Sequence, residues 1–118
     1  MKKDPKIFLS HILESIEEIN RNTGKITKDK FSTNKTIQDA VIRRLEIIGE
    51  ATKNLPPSFK NNYPDIEWKK MAGLRDIIVH EYFGLSLKLI WGITQKDLPK
   101  LKKQIAKILK SLEKSAHT

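Results

Sequence analysis

The segment 75–82 brings together an arginine, a histidine, a tyrosine and two carboxylates within eight residues. Histidine transfers protons near neutral pH because its ordinary pKa is about 6.5, and arginine binds phosphate oxygens through a planar fork that stays charged. Arg75 and His80 are therefore the minimum set for cutting RNA without a metal. They supply an acid and a base for the proton transfers and a cation for the phosphate. The sequence shows neither a Gly-rich phosphate loop nor a His/Asp/Glu cluster with metal-ligand spacing.

The spacing of these residues on a helix limits what one chain can do. Arg75 and His80 are five residues apart, which separates their side chains by about 140° on an ideal helix. Asp76 and His80 are four apart and share a face, so Asp76 could hold the imidazole tautomer or contact a substrate. Arg75 and Tyr82 share another face. Two chains meeting along this helix would bring two arginines and two histidines into one cleft, with one histidine as base and the other as acid.

The same residues have a simpler interpretation. An Arg, an Asp and a His on one helix commonly form a salt-bridge network, and a Tyr near a helix-ending glycine is commonly a core residue with its hydroxyl at the surface. Residue chemistry alone favours this structural interpretation over catalysis. Of the other histidines, His11 is predicted to lie at the boundary of the core and His117 in the C-terminal tail.

Helices must position this segment, because apolar residues recur at helical spacing and long stretches contain neither Gly nor Pro. We therefore predict an all-α single domain over 1–118, with a frayed tail over about 115–118. The stripe of the first helix starts at Ile7, and Pro99 breaks or kinks the fourth helix or opens a fifth in its first turn. Three of the predicted helices cover about 4–20, 37–55 and 67–83. A fourth is capped by Ser86, and a last one has apolar positions from Leu98 to Leu112. A connector anchored by Phe31 joins the first two, and a loop over 58–64 joins the second and third.

The predicted helix over 37–55 carries two further features. Its charged stripe has residues three or four apart that can neutralise one another, which is typical of a solvated face. The members of this stripe are Asp39, Arg43, Glu46 and Glu50. Gly49 lies beside it in mid-helix, where a glycine costs about 1 kcal/mol relative to alanine. A glycine at that position predicts the close approach of a packed partner.

The composition of the chain limits which classes of molecule it can bind. The chain has 118 residues, a net charge of +9 and no cysteine. The charge attracts polyanions such as RNA, DNA or an anionic membrane surface without choosing among them. Neither a signal peptide nor a membrane span is visible, so we predict a cytoplasmic protein that does not enter a membrane. Lysines along one side of the last helix, from Lys96 to Lys114, form either a solvated face or an electrostatic surface for RNA.

Arg75, His80 and Tyr82 match the R-x4-H-x-Y motif of the HepT-like toxins, which belong to the HEPN superfamily. The resemblance extends beyond the motif, because other segments resemble family blocks in the same order along the chain. These segments are 39–51, 63–68, 71–75, 82–91 and 97–99.

The resemblance implies an up-and-down bundle of about four to five helices that forms a homodimer, with Arg75 and His80 of both protomers in one active site. The implied activity is metal-independent, cofactor-free endonucleolytic cleavage of RNA. Asp76 takes a supporting position that is often Asn in the family. The implied partner is a nucleotidyltransferase antitoxin of the MntA type, and such antitoxins silence related toxins by transferring AMP onto the motif tyrosine, here Tyr82.

Two alternatives stay open beside the toxin ribonuclease. HEPN-like bundles also act as non-catalytic modules that bind a nucleotidyltransferase or a nucleotide, which predicts a tight complex and no RNA cleavage. A basic bundle that binds nucleic acid through its last helix predicts steep salt dependence and indifference to His80.

Overall fold

The structure is a computed structural model that describes residues 4–80 and 86–116. At positions 79, 80, 115 and 116 the description covers the backbone alone. Within this part of the chain every regular element is helical, which confirms the predicted all-α class. Four long helices and several short ones follow one another as α1 Pro5–Thr23, α2 Lys28–Thr33, α3 Lys35–Asn54, α4 Pro57–Lys60, α5 Trp68–His80, α6 Leu87–Gly92, a π-helical turn Ile93–Asp97 and α7 Leu98–Ala116.

Polar side chains cap the starts of several helices by accepting a backbone N–H that the helix itself leaves unpaired. Asp4 accepts from Lys6 N at 2.9 Å at the start of α1. Asn34 accepts from Ile37 N at 3.0 Å and begins α3. The Ser86 hydroxyl accepts from Leu89 N at 3.2 Å, which confirms the predicted cap of the fourth helical stretch. These caps explain why the helices begin where they do.

One cluster of buried apolar side chains holds the helices together. α3 packs against α1 and against α5, and α1 also packs against α7. The predicted apolar stripe of α3 is buried at Val41, Leu45, Ile48, Thr52 and Leu55. Since this stripe faces the cluster, the charged stripe of α3 is left outside the core, where Arg43, Glu46 and Glu50 line the candidate site.

The boundaries of two helices differ from the predicted ones. α1 continues one turn beyond the predicted end, to Thr23, whose buried hydroxyl donates to Ile19 O at 2.9 Å. We predicted that Ile7 belongs to the buried stripe of α1. This prediction is wrong, because the Ile7 side chain is 46% exposed and Leu9 is buried instead. At the other end of the chain α7 continues to Ala116, so residues 115 and 116 are helical rather than frayed, and 117–118 lie outside the described residues.

Proline marks one further difference and decides one alternative. A helical turn, Pro57–Lys60, covers the start of the predicted loop over 58–64, because the fixed backbone angle of Pro57 suits the first position of a helix. Pro99 is the second residue of α7, which agrees with the predicted alternative that it opens a helix in its first turn. A wider π-helical turn joins α6 to α7 without a break in the chain of helical residues.

Candidate active site

Arg75 lies on α5 at the point where this helix comes closest to α3. Gly49 of α3 is buried beneath it, and a Cβ atom added at Gly49 would lie 2.7 Å from Arg75 N and 2.9 Å from Arg75 Cβ. No side chain fits in that space without moving the backbone of α5. The close partner predicted from the mid-helix glycine is therefore Arg75. Gly49 sets the position of the Arg75 Cα atom relative to α3.

Glu50, the next residue of α3, holds the guanidinium of Arg75. Arg75 Nε lies 2.6 Å from Glu50 Oε2, and both side chains are about half exposed. Arg75 Nη1 lies 3.9 Å from Asp76 Oδ1, which is too far for a hydrogen bond. The carboxylate of Glu50 thus fixes the inner nitrogen of the guanidinium, while neither terminal nitrogen donates a hydrogen bond to a described residue. Those terminal nitrogens are the fork that binds a phosphate bidentately.

Asp76 has a partner on α3. Its carboxylate oxygen Oδ1 accepts a hydrogen bond from Lys53 Nζ of α3 at 2.5 Å. This hydrogen bond ties α5 to α3 one residue beyond Arg75. The predicted role of Asp76 toward the His80 imidazole stays a prediction, because the His80 side chain lies outside the described residues.

A surface groove of about 320 Å³ opens beside Arg75, between α1, α3 and α5. We call it the Arg75 groove. Arg43 lies in it and donates to Glu46 Oε1 at 2.5 Å, so both described arginines of the groove have a carboxylate partner. The described residues that line it are Phe8, His11, Arg43, Glu46, Ile47, Glu50, Ala51, Asn54 and Arg75.

The charged stripe of α3 was predicted to neutralise itself, and the structure bears this out only in part. Arg43 and Glu46 form the predicted pair. Asp39 lies 3.9 Å from Lys35 and not in a pair with Arg43. Glu50 reaches across to Arg75, an interaction that spacing along one helix does not reveal. The one available signal was its neighbour Gly49, which predicted a close partner at this level of the helix.

The remaining predicted site residues lie at or after the last described residue of α5. That residue is His80, of which the backbone alone is described. Tyr82 belongs to 81–85, outside the described residues. The structure thus places Arg75 and Asp76 against α3, and the arrangement of His80 and Tyr82 around them stays a prediction. His11, predicted as a boundary residue, is exposed and lines the Arg75 groove.

Comparison with known proteins assigns the chain to a family. A family model described as ribonuclease HepT-like matches residues 12–108, and the chain belongs to this HepT-like family. Membership confirms the resemblance drawn from the motif of Arg75, His80 and Tyr82, and it identifies the enzyme class as ribonuclease.

Several curated relatives are similar along most of the chain. A Methanocaldococcus jannaschii protein named as a gamma-glutamylcyclotransferase and candidate RNase is 55% identical over 115 residues, which are 98% of this chain and 52% of the relative. The chain thus spans about half the length of that protein. A second M. jannaschii protein, named as a candidate RNase, is 47% identical over 112 residues, 95% of this chain and 93% of the relative. A Thermococcus cleftensis protein named as a probable ribonuclease HepT is 44% identical over 110 residues, 93% of this chain and 100% of the relative. No solved structure matches the chain.

Two other kinds of feature are missing from the described residues. No helix among them is both long enough and apolar enough to cross a lipid bilayer. In the same part of the chain, no three His, Asp or Glu side chains lie close enough together to hold a metal ion.

Proposed function

We propose that the chain is the toxin of a toxin–antitoxin pair and cleaves RNA endonucleolytically without a metal or cofactor. The observation that carries this proposal is the anchoring of Arg75. Gly49 seats its backbone against α3, and Glu50 holds Nε at 2.6 Å, so the terminal nitrogens stay available for a phosphate. An arginine held in advance stabilises charge on a reacting phosphate without having to reorganise during the reaction.

The proposed reaction is an intramolecular transfer within the RNA. One His80 takes the proton of the ribose 2′-hydroxyl, and the 2′-oxygen forms a bond to the adjacent phosphorus. The bond from phosphorus to the 5′-oxygen of the next nucleotide breaks, and a second His80 gives that oxygen a proton. Arg75 offsets the negative charge that builds on the phosphate oxygens. The products are a 2′,3′-cyclic phosphate and a free 5′-hydroxyl, so neither water nor an external nucleophile enters this step.

A homodimer supplies the two histidines that this reaction needs. Arg75 and His80 are separated by about 140° around an ideal helix, so one chain presents them to different sides. Two α5 helices that meet in the dimer would complete the site with an arginine and a histidine from each protomer. This arrangement follows from helix geometry and from the resemblance to the HepT-like toxins.

The proposed partner is a small nucleotidyltransferase antitoxin of the MntA type that transfers AMP to Tyr82. Each AMP adds bulk and a phosphate charge. On an ideal helix a spacing of seven residues would put Tyr82 on the same side as Arg75, and the added phosphate would then occupy the site meant for the RNA phosphate. The intact mass of the chain co-expressed with the neighbouring gene should rise by whole AMP units, and Tyr82→Phe should abolish the increase. An AMP increase that survives Tyr82→Phe would place the modification elsewhere.

RNA cleavage in EDTA by the purified chain tests the catalytic proposal. We expect Arg75→Ala and His80→Ala each to lower the cleavage rate by about a hundredfold or more, because each removes one of the two chemical functions. Lys25→Ala is a matched control, since it removes a positive charge at an exposed position away from the site. Full activity in both site variants would falsify the proposed mechanism.

Mixing wild-type chains with the double variant Arg75→Ala, His80→Ala tests the shared cleft. A mixed dimer then holds one arginine and one histidine in its cleft and lacks the second histidine that the reaction needs. If the protomers share a site, we expect an excess of the double variant to remove most of the activity of a fixed amount of wild-type chain. If each chain acts by itself, the activity of the wild-type chains stays unchanged.

A non-catalytic module that binds a nucleotidyltransferase or a nucleotide is the alternative function. It predicts tight binding to the partner and no cleavage of any RNA pool. Cleavage by the wild-type chain that disappears in His80→Ala excludes this alternative, since a contaminating nuclease would survive the substitution.

A further inference from the structure

A second groove, lined by residues of α2 and of the stretch after residue 85, carries different charges from the Arg75 groove. Its volume is about 530 Å³, and it lies between α2 and the stretch formed by α6 and the π-helical turn. We call it the lysine groove. The described lining residues used below are Lys28, Ser86, Lys88, Leu89, Trp91 and Lys96.

The charges that line the lysine groove are all positive among the described residues. Lys28, Lys88 and Lys96 line it, and no described lining residue is acidic. All three side chains are exposed, and none of their ammonium groups forms an ion pair with a described residue. Lys53 and Lys70, by contrast, each pair with an aspartate. A cluster of lysines without acidic partners attracts a polyanion, and binding releases the cations that are condensed on the polyanion.

An aromatic ring lies among these lysines. Trp91 is partly buried, and its ring packs on Phe31 with the centroids 5.3 Å apart and the planes tilted by 38°. This packing holds the indole in place. The indole N–H of Trp91 donates to no described residue, whereas that of Trp68 donates to the carbonyls of Lys60 and Tyr63. Leu89, which is 51% exposed, extends the apolar surface beside the ring.

The chain connects this groove closely to the proposed catalytic histidine. Ser86 lines the groove and lies six positions after His80 in the sequence. A fully extended chain of six residues spans about 20 Å, so the Cα atoms of these two residues lie within that distance. Lys70 of α5 also donates to Asp97 Oδ1 of the π-helical turn at 3.0 Å, which ties the two regions together. A strand of a few nucleotides is enough to reach from one to the other.

We propose that the lysine groove binds single-stranded RNA beside the cleaved bond, with the three lysines on successive phosphates and one base stacked on Trp91. Lysines that follow a backbone, together with a fixed aromatic ring, are the elements from which proteins build single-strand sites. Base stacking on a side chain needs an unpaired base, which favours a single strand over a duplex. The inference rests on the proposed function in one respect, namely that the polyanion is RNA.

Binding of a fluorescent single-stranded RNA, measured by anisotropy in EDTA on a His80→Ala background, tests the proposal. The triple variant Lys28→Ala, Lys88→Ala, Lys96→Ala should bind about tenfold more weakly or worse. The plot of log affinity against log salt should become shallower by about 0.7 for each phosphate that the variant no longer neutralises. A triple variant of exposed α7 lysines, Lys100→Ala, Lys103→Ala, Lys110→Ala, removes the same charge and should change the affinity by less than about twofold. Equal losses in the two triple variants, or a loss confined to the α7 variant, would overturn the proposal.

The tryptophan provides an independent test. Trp91→Leu keeps an apolar side chain against Phe31, and a thermal melt checks that the fold survives. We expect its affinity to fall about fivefold or more because one base no longer stacks, with an unchanged salt dependence because every phosphate keeps its lysine. An affinity equal to that of wild type in a folded Trp91→Leu protein would remove the stacking role.

Cleavage and binding separate this proposal from the proposed function. If the chain binds RNA through the lysine groove but cuts none, the ribonuclease mechanism fails and the groove stands. If the chain cuts RNA and the groove variant binds and cuts like wild type, the groove fails and the mechanism stands.

Discussion

The two grooves differ in how their positive charges are held. In the Arg75 groove each described arginine has a carboxylate beside it, Glu50 for Arg75 and Glu46 for Arg43. In the lysine groove Lys28, Lys88 and Lys96 have no carboxylate among the described residues that line it. A carboxylate partner orients a cation but cancels much of its long-range field. An unpaired lysine keeps its field but has no fixed direction.

This difference suits the Arg75 groove to catalysis and the lysine groove to RNA binding. Stabilising a transition state requires a donor at a defined position, and Gly49 and Glu50 together give Arg75 one. Holding a flexible polyanion requires total charge and tolerates loose geometry. We therefore expect substitutions in the Arg75 groove to act on the rate of cleavage and those in the lysine groove to act on affinity and its salt dependence.

Exchanging lysine and arginine tests the comparison with the largest expected effect. Arg75→Lys keeps the charge but loses the planar fork, so we expect the cleavage rate at saturating RNA to fall about a hundredfold. Lys88→Arg in the lysine groove should leave the rate unchanged and the affinity within about twofold, because its interaction with a phosphate depends on charge alone. Cleavage that survives Arg75→Lys would mean that orientation of this cation is not what the Arg75 groove provides.

Gly49→Ala tests how Arg75 is positioned. The added methyl would meet Arg75 N at 2.7 Å, so α5 must move away from α3. Overpacking of this kind costs about 1–3 kcal/mol and exceeds the gain of up to about 1 kcal/mol in helix propensity. We expect a net loss of about 1 kcal/mol in urea unfolding and a fall in cleavage of about tenfold or more, because Arg75 is displaced.

Gly73→Ala is the matched control on α5 itself. A Cβ added there meets nothing within 4 Å, so helix propensity alone should act. We expect it to stabilise the chain by about 0.5–1 kcal/mol and to leave cleavage unchanged. If both alanine variants stabilise the chain and cut RNA normally, the close approach at Gly49 has no part in positioning Arg75.

Glu50→Gln should change the affinity for RNA and the rate of cleavage in opposite directions. The substitution keeps the shape of the side chain but removes a negative charge that competes with the RNA phosphate for Arg75. We expect RNA to bind about twofold to fivefold more tightly and the cleavage rate at saturation to fall roughly fivefold, because the guanidinium is less firmly held. Stability should change by less than about 1 kcal/mol, since the pair is half exposed. Changes in affinity and rate in the same direction would argue that Glu50 supports the fold alone.

Much of the fold follows from rules that act within one helix. The stripe of α3, the Ser86 cap and the stop after Leu55 each depend on residues a few positions apart, and all three match the structure. Ile7 does not, because it lies at the edge of the α1 stripe. Which edge of a stripe is covered depends on where the neighbouring helices lie, and spacing along one helix does not contain that information.

The candidate site could be predicted only in part for the same reason. The types and spacing of Arg75 and His80 indicated the chemistry, and Gly49 indicated a close approach by another element. The identity of that element depends on how α3 and α5 align, which joins residues 26 positions apart. Glu50 has plausible partners on its own helix, and only the packing of α5 shows that Arg75 takes their place.

The smallest expected effect concerns the link between the two regions, the ion pair of Lys70 and Asp97. The hydrogen bond from Lys70 to Asp97 raises the pKa of Lys70 above its ordinary value of 10.5. Because folding raises this pKa, the stabilisation is fully present below the unfolded value and is lost as the pH rises through the folded value. Asp97→Asn should therefore lower the free energy of unfolding by less than about 1 kcal/mol at pH 8, and the difference should shrink as the pH rises above the ordinary pKa of lysine.

A double-mutant cycle with Lys70→Met isolates the energy of this pair from the other effects of each substitution. If the two grooves work separately, as their charges suggest, Asp97→Asn should change neither the cleavage rate nor the salt dependence of RNA binding. A fall in cleavage far larger than the loss of stability would instead show that the π-helical turn and α5 must stay in register for RNA held in the lysine groove to reach Arg75. In that case capture and chemistry depend on one another, and the two grooves would form a single extended site.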